Sequence, residues 1–353
     1  SLRRLQALVQ RALVPLHGQQ IRLAHPDSDG APDHRVDKVR SLIQLARREV
    51  DSYRQLPVIV YEMVSRPAPA SEARAGLFSA GERHVAEITA FGDSRLRGDD
   101  PQVTGALAQV FELCGIPIAW VETGDGDRQA FYAHPSGDAE AAQCPGCGYA
   151  AERSWASSAW PEPPDEPEEE PEEISTPGCD TIAALADFLD LPASKTLKMV
   201  FYSVEGKVTC IVIRGDRKVD EAKLARVLGT TWYYASIETE LAEAGAVGGY
   251  ASPIGLDHSL VRVVADPSVR SGRNFVSGAN RPDYHIRNVN VPRDFSPGEW
   301  ANLALIEAGD PCPMCGGKLQ IVPGFPLASS TAAQPCEPPA EYLDQAGKAR
   351  PLW

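Results

Sequence analysis

The stretch that decides the fold is KTLKMVFYSVEGKVTCIVIRGDRKVDEAKLARVLG, residues 195–229. Residues 197–204 and 207–214 are rich in β-branched and aromatic residues, and Glu205-Gly206 lies between them. This pattern predicts two strands joined as a β-hairpin. After Asp220 the apolar positions follow the period of a helix, which Gly229 is suited to end. A hairpin followed directly by a short helix predicts a mixed α/β domain.

Further elements of this domain are predicted on both sides of the hairpin. Residues 181–189 predict a short helix, with Asp180 or Thr181 as its cap. We expect its inward side chains to be Ile182, Leu185, Phe188 and Leu189. Apolar runs downstream predict strands over residues 259–265, 274–278 and 284–291. The domain is therefore expected to span residues 175–308.

The part of the chain before this domain shows the same two periodicities. Its apolar stripes predict helices, and its β-branched runs predict strands. The helices are expected over residues 5–16, 39–51 and 102–114, and the strands over residues 56–64 and 116–122.

An acidic, proline-rich stretch separates the two parts. PEPPDEPEEEPEE, residues 161–173, carries eight acids and no base within a chain of net charge −14, so the remainder carries −6. Such a composition predicts a solvated linker over residues 158–174, although an acidic docking segment is an alternative. The mildly acidic remainder argues against a tight, sequence-blind grip on nucleic acid. The chain contains no apolar run that would span a membrane and no secretory signal, so we expect a cytoplasmic protein.

Two cysteine pairs share the pattern C-P-x-C-G. They are Cys144 and Cys147 in CPGCG, and Cys312 and Cys315 in CPMCG. Two such pairs can supply the four thiolates of a tetrahedral structural zinc site. If they bind one Zn2+, the α/β domain between them is an insertion whose two ends are held together by metal. The alternative is two reduced pairs without metal.

At this point the sequence resembles a known family. The stretches TPGCDTIAALADFL, KTLKMVFY, VIRGDRKVDEAKL, GGYASPIGL, VVADPSV, NFVSGANRPDYH and ALIEAGDPCPMCGGKL are similar, in order and spacing, to the YbaK-like editing domain that is inserted into bacterial-type prolyl-tRNA synthetase. SYRQLP, GDRQAFYAHPSGDAEAAQCPGCGYAAERSWA and AEYLDQAGKARPLW resemble the same synthetase's class II catalytic domain. The resemblance therefore implies a degenerate synthetase-like domain, residues 1–157 and 309–353 with the zinc-binding cysteines, around an editing domain at 175–308.

The departures from the family concern proline activation. Where the family has the arginine that binds the ATP α-phosphate, this chain aligns Pro67-Ala68-Pro69-Ala70. Alanine offers neither charge nor donors to a phosphate. The family's threonine-histidine-glutamate-glutamate stretch is not visible near residues 33–39, and the chain stops before the third class II motif. We therefore expect no ATP use and no proline activation.

The same resemblance implies a pocket for an aminoacyl ester. Lys198 matches a lysine beside the terminal adenosine, and Gly249 belongs to a loop whose amides face the scissile carbonyl, with His285 lining the pocket. We take these three as catalytic and expect the substrate-binding residues to be Gly248, Pro253, Asp266 and Asn280. Each also has a structural interpretation: a strand-end lysine, turn-forming glycines, an aspartate that builds a turn before proline, and a satisfied histidine.

Three functions follow from these observations. The first is a trans-acting aminoacyl-tRNA deacylase that binds the acceptor end of misacylated tRNA, with alanine on proline tRNA as the substrate that the family suggests. The second is a catalytically dead pseudo-synthetase that serves as a binding or assembly subunit, either with a protein partner or as a homodimer through its synthetase-like half. A plug such as Tyr250 in the pocket would favour this second function. A proline–tRNA ligase is the third, which the missing motifs oppose.

Overall fold

The computed structural model describes residues 2–14, 18–21, 34–67, 82–93, 101–124, 126–331, 336 and 339–353. The chain divides into two compact units. Unit 1 comprises Ser1–Ala139 and Gly324–Trp353, and unit 2 comprises Glu140–Pro323. Pro67 and the helical backbone of residues 34–39 are described, whereas residues 68–70, aligned with the phosphate-binding arginine, and residue 33 lie outside the described part. No helix within the described ranges is long and apolar enough to cross a membrane.

Unit 1 has a three-stranded sheet with helices; the helices and the strand over residues 56–64 were predicted, whereas the other two strands of this sheet were not. Strand β1 pairs parallel to β2, and β2 pairs antiparallel to β3 from Val58↔Phe91 to Pro67↔Glu82. Buried residues of α1 and α3, including Val9 and Val110, form a core with Ile59 of β2. The elements are α1 (Leu2–Leu13), β1 (Gln19–Gln20), α2 (His34–Glu49), β2 (Val58–Pro67), β3 (Glu82–Phe91), α3 (Pro101–Leu113), β4 (Ala119–Glu122) and β5 (Arg128–Ala133).

Unit 2 is built on the predicted hairpin. Strands β9 (Leu197–Val204) and β10 (Lys207–Arg214) have the predicted bounds and pair antiparallel in register from Lys207↔Val204 to Arg214↔Leu197. They are central in a five-stranded sheet of order β11-β9-β10-β12-β15. The other members are β11 (Tyr234–Ala235), β12 (Val261–Ala265) and β15 (Glu299–Trp300).

A second sheet of unit 2 has the order β13-β14-β8. Its apolar residues Phe275 and Val289 belong to one buried cluster with Phe201 and Val212 of the first sheet, so the main core lies between the two sheets. The strands are β8 (Glu172–Ser175), β13 (Phe275–Gly278) and β14 (Tyr284–Val289).

The predicted helices of unit 2 are present with their caps. Helix α4 (Ile182–Leu189) begins where the Thr181 hydroxyl accepts the Ala184 amide at 3.2 Å. Helix α5 (Glu221–Leu228) has Asp220 as its N-cap and ends at Gly229, whose φ of +72° suits glycine. The prediction that Phe188 faces inward is wrong, because its side chain is 53% exposed. In this two-turn helix, Leu185 and Leu189 pack in the apolar cluster with Cys179 and Val276. A sixth helix, α6 (Glu238–Glu243), was not predicted.

Short β-ribbons complete the two units. In unit 2, β7 (Ala150–Glu152) pairs with β6 (Ala139–Gln143) from Ala141↔Glu152 to Gln143↔Ala150. In unit 1, β16 (Gln320–Ser330) pairs with β5 from Gly324↔Ala133 to Ser330↔Arg128, and β17 (Glu341–Leu343) pairs with β18 (Ala349–Pro351).

Part of the acidic stretch contacts the rest of unit 2. Its last residues form β8, which begins at Glu172 and pairs with β14. Upstream, the main chain of Glu166 and Pro167 accepts hydrogen bonds from Arg273 and Asn274 of the same unit, each at 2.9 Å. Unit 2 also extends beyond the predicted residues 175–308, because both cysteine pairs and their apolar surroundings pack within Glu140–Pro323.

Candidate functional site

The glycine loop of residues 248–253 is set by close backbone contacts. Gly249 has φ +78°, and a Cβ there would lie 2.9 Å from Asp180 Cβ. Gly278, at the end of β13, has no room for a side chain because a Cβ would overlap the carbonyl oxygens of Tyr250 and Ala251. Glycine is therefore required at both places for a different reason, positive φ at one and close approach at the other. Gly248 has neither constraint, since its nearest neighbour would be Leu241 Cδ1 at 3.9 Å.

Asn280 holds the second half of this loop. Its Oδ1 accepts the Ser252 amide at 2.8 Å, and its Nδ2 donates to the carbonyls of Ser252 and Ile254 at 3.3 and 2.9 Å. Its own amide donates to the Tyr250 carbonyl at 2.8 Å. The three side-chain bonds use Oδ1 and both hydrogens of Nδ2, so Asn280 acts here by positioning the loop. Pro253 is buried at the loop's end.

Three backbone N–H groups of the loop are not used in hydrogen bonds within the described part of the chain. They belong to Gly248, Gly249 and Ala251. Both glycines are exposed, whereas Ala251 is buried. Backbone donors held in fixed positions without a partner are the groups that can stabilise a developing oxyanion.

His285 lies directly beside this loop. Its side chain is only 4% exposed, and its Nδ1 is 2.6 Å from the Thr176 hydroxyl. Burial lowers the pKa of His285 to about 4, so the ring is neutral at pH 7. Its Nε2 has no hydrogen-bond partner among the described residues, and the tautomer decides whether that nitrogen donates or accepts.

Tyr250 covers one side of His285. The two ring centroids lie 5.6 Å apart, and the Tyr250 hydroxyl donates to Asp283 Oδ1 at 3.0 Å. Asp283 also accepts the Gly178 amide at 2.8 Å, a bond that lowers the pKa of its carboxyl. The tyrosine is thereby fixed over the histidine.

The glycine loop, Asn280, His285, Thr176, Tyr250 and Asp283 form one cluster. Lys198 does not belong to it. On β9 it is paired with Ile213 of β10, and its neighbours in the alternation, Val200 and Tyr202, pack with the helix α5 cluster. Ala251 packs on the opposite face of the sheet, with Leu197 and Phe201. The Lys198 ammonium donates to the Arg217 carbonyl, and burial lowers its pKa. Within residues 126–331, all of which are described, no hydrogen bond links Lys198 to His285 or the glycine loop.

Asp266 has the structural role given above as the alternative to substrate binding: it builds the turn before Pro267. Its side chain is fully buried, and Oδ1 accepts the Ser268 amide at 2.8 Å. Oδ2 accepts the amides of Leu303 and Ala304 at 2.7 and 2.8 Å. The carboxylate therefore caps the turn at Pro267 and joins it to the segment that returns toward the cysteines, and it has no surface for a substrate.

The four predicted cysteines come together within unit 2. Their sulfur atoms all lie within 4.8 Å of one another, and Cys144–Cys315 and Cys147–Cys312 are 3.5 and 3.6 Å apart. A tetrahedral site with Zn–S bonds of about 2.3 Å requires sulfur separations of about 3.8 Å. The arrangement is therefore close enough to bind a metal ion. Hydrogen bonds from the amides of Cys147 and Gly146 lower the pKa of Cys144, whereas burial and the neighbouring thiols raise the pKa of Cys147 to about 12.

Three residues of the cluster were not singled out as site residues from the sequence. Thr176, Asp283 and Gly278 all lie inside motif stretches that resemble the family, but nothing local marks them as neighbours of His285. Thr176 lies 109 residues from His285, and β8–β14 pairing brings them together.

The chemistry available at the site is hydrolysis of an activated acyl group rather than nucleophilic attack by a side chain. The cluster has free main-chain donors on an exposed turn, a neutral imidazole and a hydrogen-bonded tyrosine. The Thr176 hydroxyl lies beside His285 Nδ1 but is fully buried, and no cysteine or serine among the described residues of the site is paired with a base in the manner of a catalytic nucleophile.

Comparisons with known proteins identify the class of protein to which this fold and site belong, an aminoacyl-tRNA editing domain. The family model of the aminoacyl-tRNA editing domain matches residues 176–295, which contain the glycine loop, Asn280 and His285. Unit 2 therefore contains an aminoacyl-tRNA editing domain.

The wider chain is prolyl-tRNA synthetase-like. It is 36% identical over 284 residues to a proline–tRNA ligase of Dehalococcoides mccartyi, covering 78% of this chain and 50% of that protein. With a proline–tRNA ligase of Pelotomaculum thermopropionicum it shares 33% identity over 328 residues, covering 87% and 56%. The chain thus spans about half the length of the curated relatives it matches. A solved structure described as a candidate trans-editing enzyme for prolyl tRNA synthetase gives a TM-score of 0.33 at 15% identity, covering 38% of this chain and 86% of that one.

Proposed function

We propose that this protein is a trans-acting aminoacyl-tRNA deacylase that removes a wrong amino acid, alanine in the first instance, from proline tRNA. The observation that carries the proposal is the juxtaposition of unused loop amides with a buried, neutral histidine in the matched editing domain. An aminoacyl ester is already activated, so its hydrolysis needs a placed water and stabilisation of the oxyanion rather than a strong nucleophile.

In this proposal each part of the cluster has one task. The amides around Gly249 donate to the carbonyl oxygen as it gains charge. Asn280 keeps that loop in place through its four hydrogen bonds and does not itself touch the ester. His285, neutral and held by Thr176, offers Nε2 to the substrate or to the attacking water. Lys198 remains a predicted substrate-placing residue, and Asp266 is assigned to the turn.

Two adjacent glycines allow a sharp test. Gly249→Ala puts a side chain at φ +78° and against Asp180, whereas Gly248→Ala meets only ordinary van der Waals contact. We expect Gly249→Ala to shift the turn and so misplace its amides, lowering the rate of alanyl-proline-tRNA deacylation by about 10²–10³-fold, the cost of one ineffective oxyanion donor, and we expect Gly248→Ala to retain most of the rate. Equal rates for the two variants and the wild type would contradict the proposal.

A non-enzymatic function is the second candidate, because Tyr250 covers His285 and is hydrogen-bonded in that position. If the tyrosine closes the site, the wild type is inactive across several misacylated tRNAs, and the chain serves as a binding subunit. Tyr250→Ala separates the two functions: it should open a closed site and raise the rate from zero, whereas in an active site it removes a contact and lowers the rate.

The cysteine cluster completes the proposal as a structural zinc site. When bound, Zn2+ would be held by Cys144, Cys147, Cys312 and Cys315 and would tie the two ends of the inserted domain. We also propose that the chain does not activate proline, because Ala68 has no charge to offer ATP at the aligned position.

A further inference from the structure

The acidic segment of residues 162–173, here called the acidic strap, is paired with a row of cations on unit 2. Four of its carboxylates contact four different basic residues. The pairs are Glu166–Lys195, Glu168–Arg293 at 3.8 Å, Glu172–Arg287 at 3.7 Å and Glu173–Arg281 at 2.6 Å. The four basic residues, Lys195, Arg281, Arg287 and Arg293, are here called the basic row.

Main-chain contacts hold the strap in the same place. The Glu170 carbonyl accepts Asn288 Nδ2 at 3.0 Å, and the Glu169 amide donates to Asn274 Oδ1 at 3.1 Å. Arg273 donates to the Glu166 carbonyl at 2.9 Å. The acidic strap thus follows the surface from Glu166 to Glu173 rather than crossing it once.

The strap leads directly to the candidate active site. Its last residues form β8, in which Ile174 is the register partner of His285. Arg281 lies four residues before His285, and Thr176 at the end of the same segment holds the histidine ring. A polyanion bound along the basic row would therefore reach the glycine loop and His285.

We propose that the basic row is the surface on which this protein binds the RNA phosphate backbone, and that the carboxylates of the acidic strap occupy it as intramolecular substitutes until RNA phosphates replace them. This rests on the proposed function in one respect, that the RNA is the acceptor end of a tRNA. The substrate's phosphates would replace the four carboxylates, and the strap would limit binding to RNA that can compete with it.

The character of the ion pairs permits such an exchange. The Arg281 and Glu173 side chains are 50% and 47% exposed, those of Arg287 and Glu172 are 45% and 63% exposed, and those of the Glu166–Lys195 and Glu168–Arg293 pairs are 29–39% exposed. Surface pairs of this kind contribute little stability and weaken with salt. RNA releases its condensed counterions when several cations contact it at once, and this release favours its binding. Four separate carboxylates release no comparable number of counterions.

The chain contains its own matched control for this competition. Four acids of the strap make ion pairs, and four others, Glu162, Asp165, Glu169 and Glu170, make none among the described residues. A paired variant carries Glu166→Gln, Glu168→Gln, Glu172→Gln and Glu173→Gln. A control variant carries Glu162→Gln, Asp165→Asn, Glu169→Gln and Glu170→Gln. Both raise the net charge by the same amount within the same segment.

The experiment measures binding of unacylated proline tRNA to the full chain over a range of salt. We expect the paired variant to bind about tenfold tighter than the control variant at low salt, with a salt dependence steeper by about 0.7–0.9 logarithmic units for each additional phosphate that the protein neutralises. Adding Arg281→Gln, Arg287→Gln and Arg293→Gln to the paired variant should return the affinity to the wild-type level. Circular dichroism and melting curves check that each variant is folded.

Equal affinity of the two variants would overturn the inference, since it would show that only the total charge matters. An unchanged affinity after removal of the three arginines would also overturn it, because the RNA would then bind elsewhere. Binding is measured without hydrolysis, so a protein that passes this test and yet fails to deacylate would refute the proposed function and leave the RNA surface standing.

Discussion

The two units use their family-like motifs in different ways. In unit 1, the SYRQLP stretch folds into a local turn. There the Gln55 side chain accepts the amides of Asp51 and Ser52 at 2.8 Å and donates to the Glu49 carbonyl at 2.7 Å. In unit 2, Gly249 comes from one segment and Asn280 and His285 from another, and the two segments meet at one place. One motif supports its own backbone, whereas the others assemble a site.

The difference shows what a motif residue must retain to perform chemistry. Asn280 and Asp266 match pocket residues of the family in sequence, but their polar atoms are occupied by main-chain partners, as are those of Gln55 in the SYRQLP stretch. The amide of Gly249 and the Nε2 of His285 have no such partners among the described residues. Available polar atoms, rather than similarity alone, identify the groups that can contact substrate.

The largest expected effect is the absence of ATP chemistry in unit 1, in contrast to the ester hydrolysis proposed for unit 2. We expect no proline-dependent pyrophosphate exchange above a no-enzyme control, because Ala68 stands at the position of the arginine that binds the α-phosphate. A relative such as the Dehalococcoides mccartyi proline–tRNA ligase is the positive control. Clear exchange by this chain would show that unit 1 retains an ATP site and would remove the contrast.

Metal removal should affect unit 2 strongly. Purified protein should carry about one zinc per chain, and Cys312→Ser should destabilise unit 2 by at least about 3 kcal/mol, since structural zinc contributes its binding energy to folding. Cys114→Ser is the matched control because Cys114 is an exposed thiol of unit 1. Metal analysis and melting curves provide the readout. Equal melting of the two variants would refute a structural metal.

The pH dependence of stability should report on His285. Its pKa is about 4 in the folded protein and about 6.5 when unfolded. The unfolded chain therefore binds the proton first as pH falls, and stability is lost between about pH 6.5 and 4. The loss is up to about 3 kcal/mol.

His285→Gln removes this titration, so the variant's stability should decline less over the same interval. Denaturant unfolding at several pH values measures the difference between the two proteins. The lowered pKa of Asp283 also costs stability in acid, but it does so in both proteins and cancels in the comparison. Parallel pH profiles would show that His285 is accessible to protons in the folded state.

The smallest effect is expected at Lys198, which lies on the other face of the sheet from Ala251. We expect Lys198→Ala to raise KM for alanyl-proline tRNA by less than about tenfold with little change in kcat, as for a residue that places substrate. Lys198→Arg should restore KM if charge is what matters. A fall in kcat comparable to that of Gly249→Ala would place Lys198 at the reacting ester and would correct the separation described above.

Local features of the sequence determined much of the architecture. The β9–β10 hairpin and the Gly229 end of α5 depend on residues close together in the chain, and both were predicted. The grouping of the four cysteines was also predicted from the sequence, because two C-P-x-C-G turns can supply the ligands of one metal site. Propensity, turn chemistry and caps act over a few residues, which is why a sequence reveals them.

Only the tertiary structure decided which motif residues share a site. Alternation along β9 put Lys198 on the face away from Ala251, and burial converted Asp266 into a cap. Pairing of β8 with β14 brought Thr176 to His285 across 109 residues, and the same pairing ordered an acidic segment whose composition alone predicts a solvated chain. Composition measures what a segment can bury by itself, whereas contacts with distant partners depend on the fold, and no local pattern encodes them.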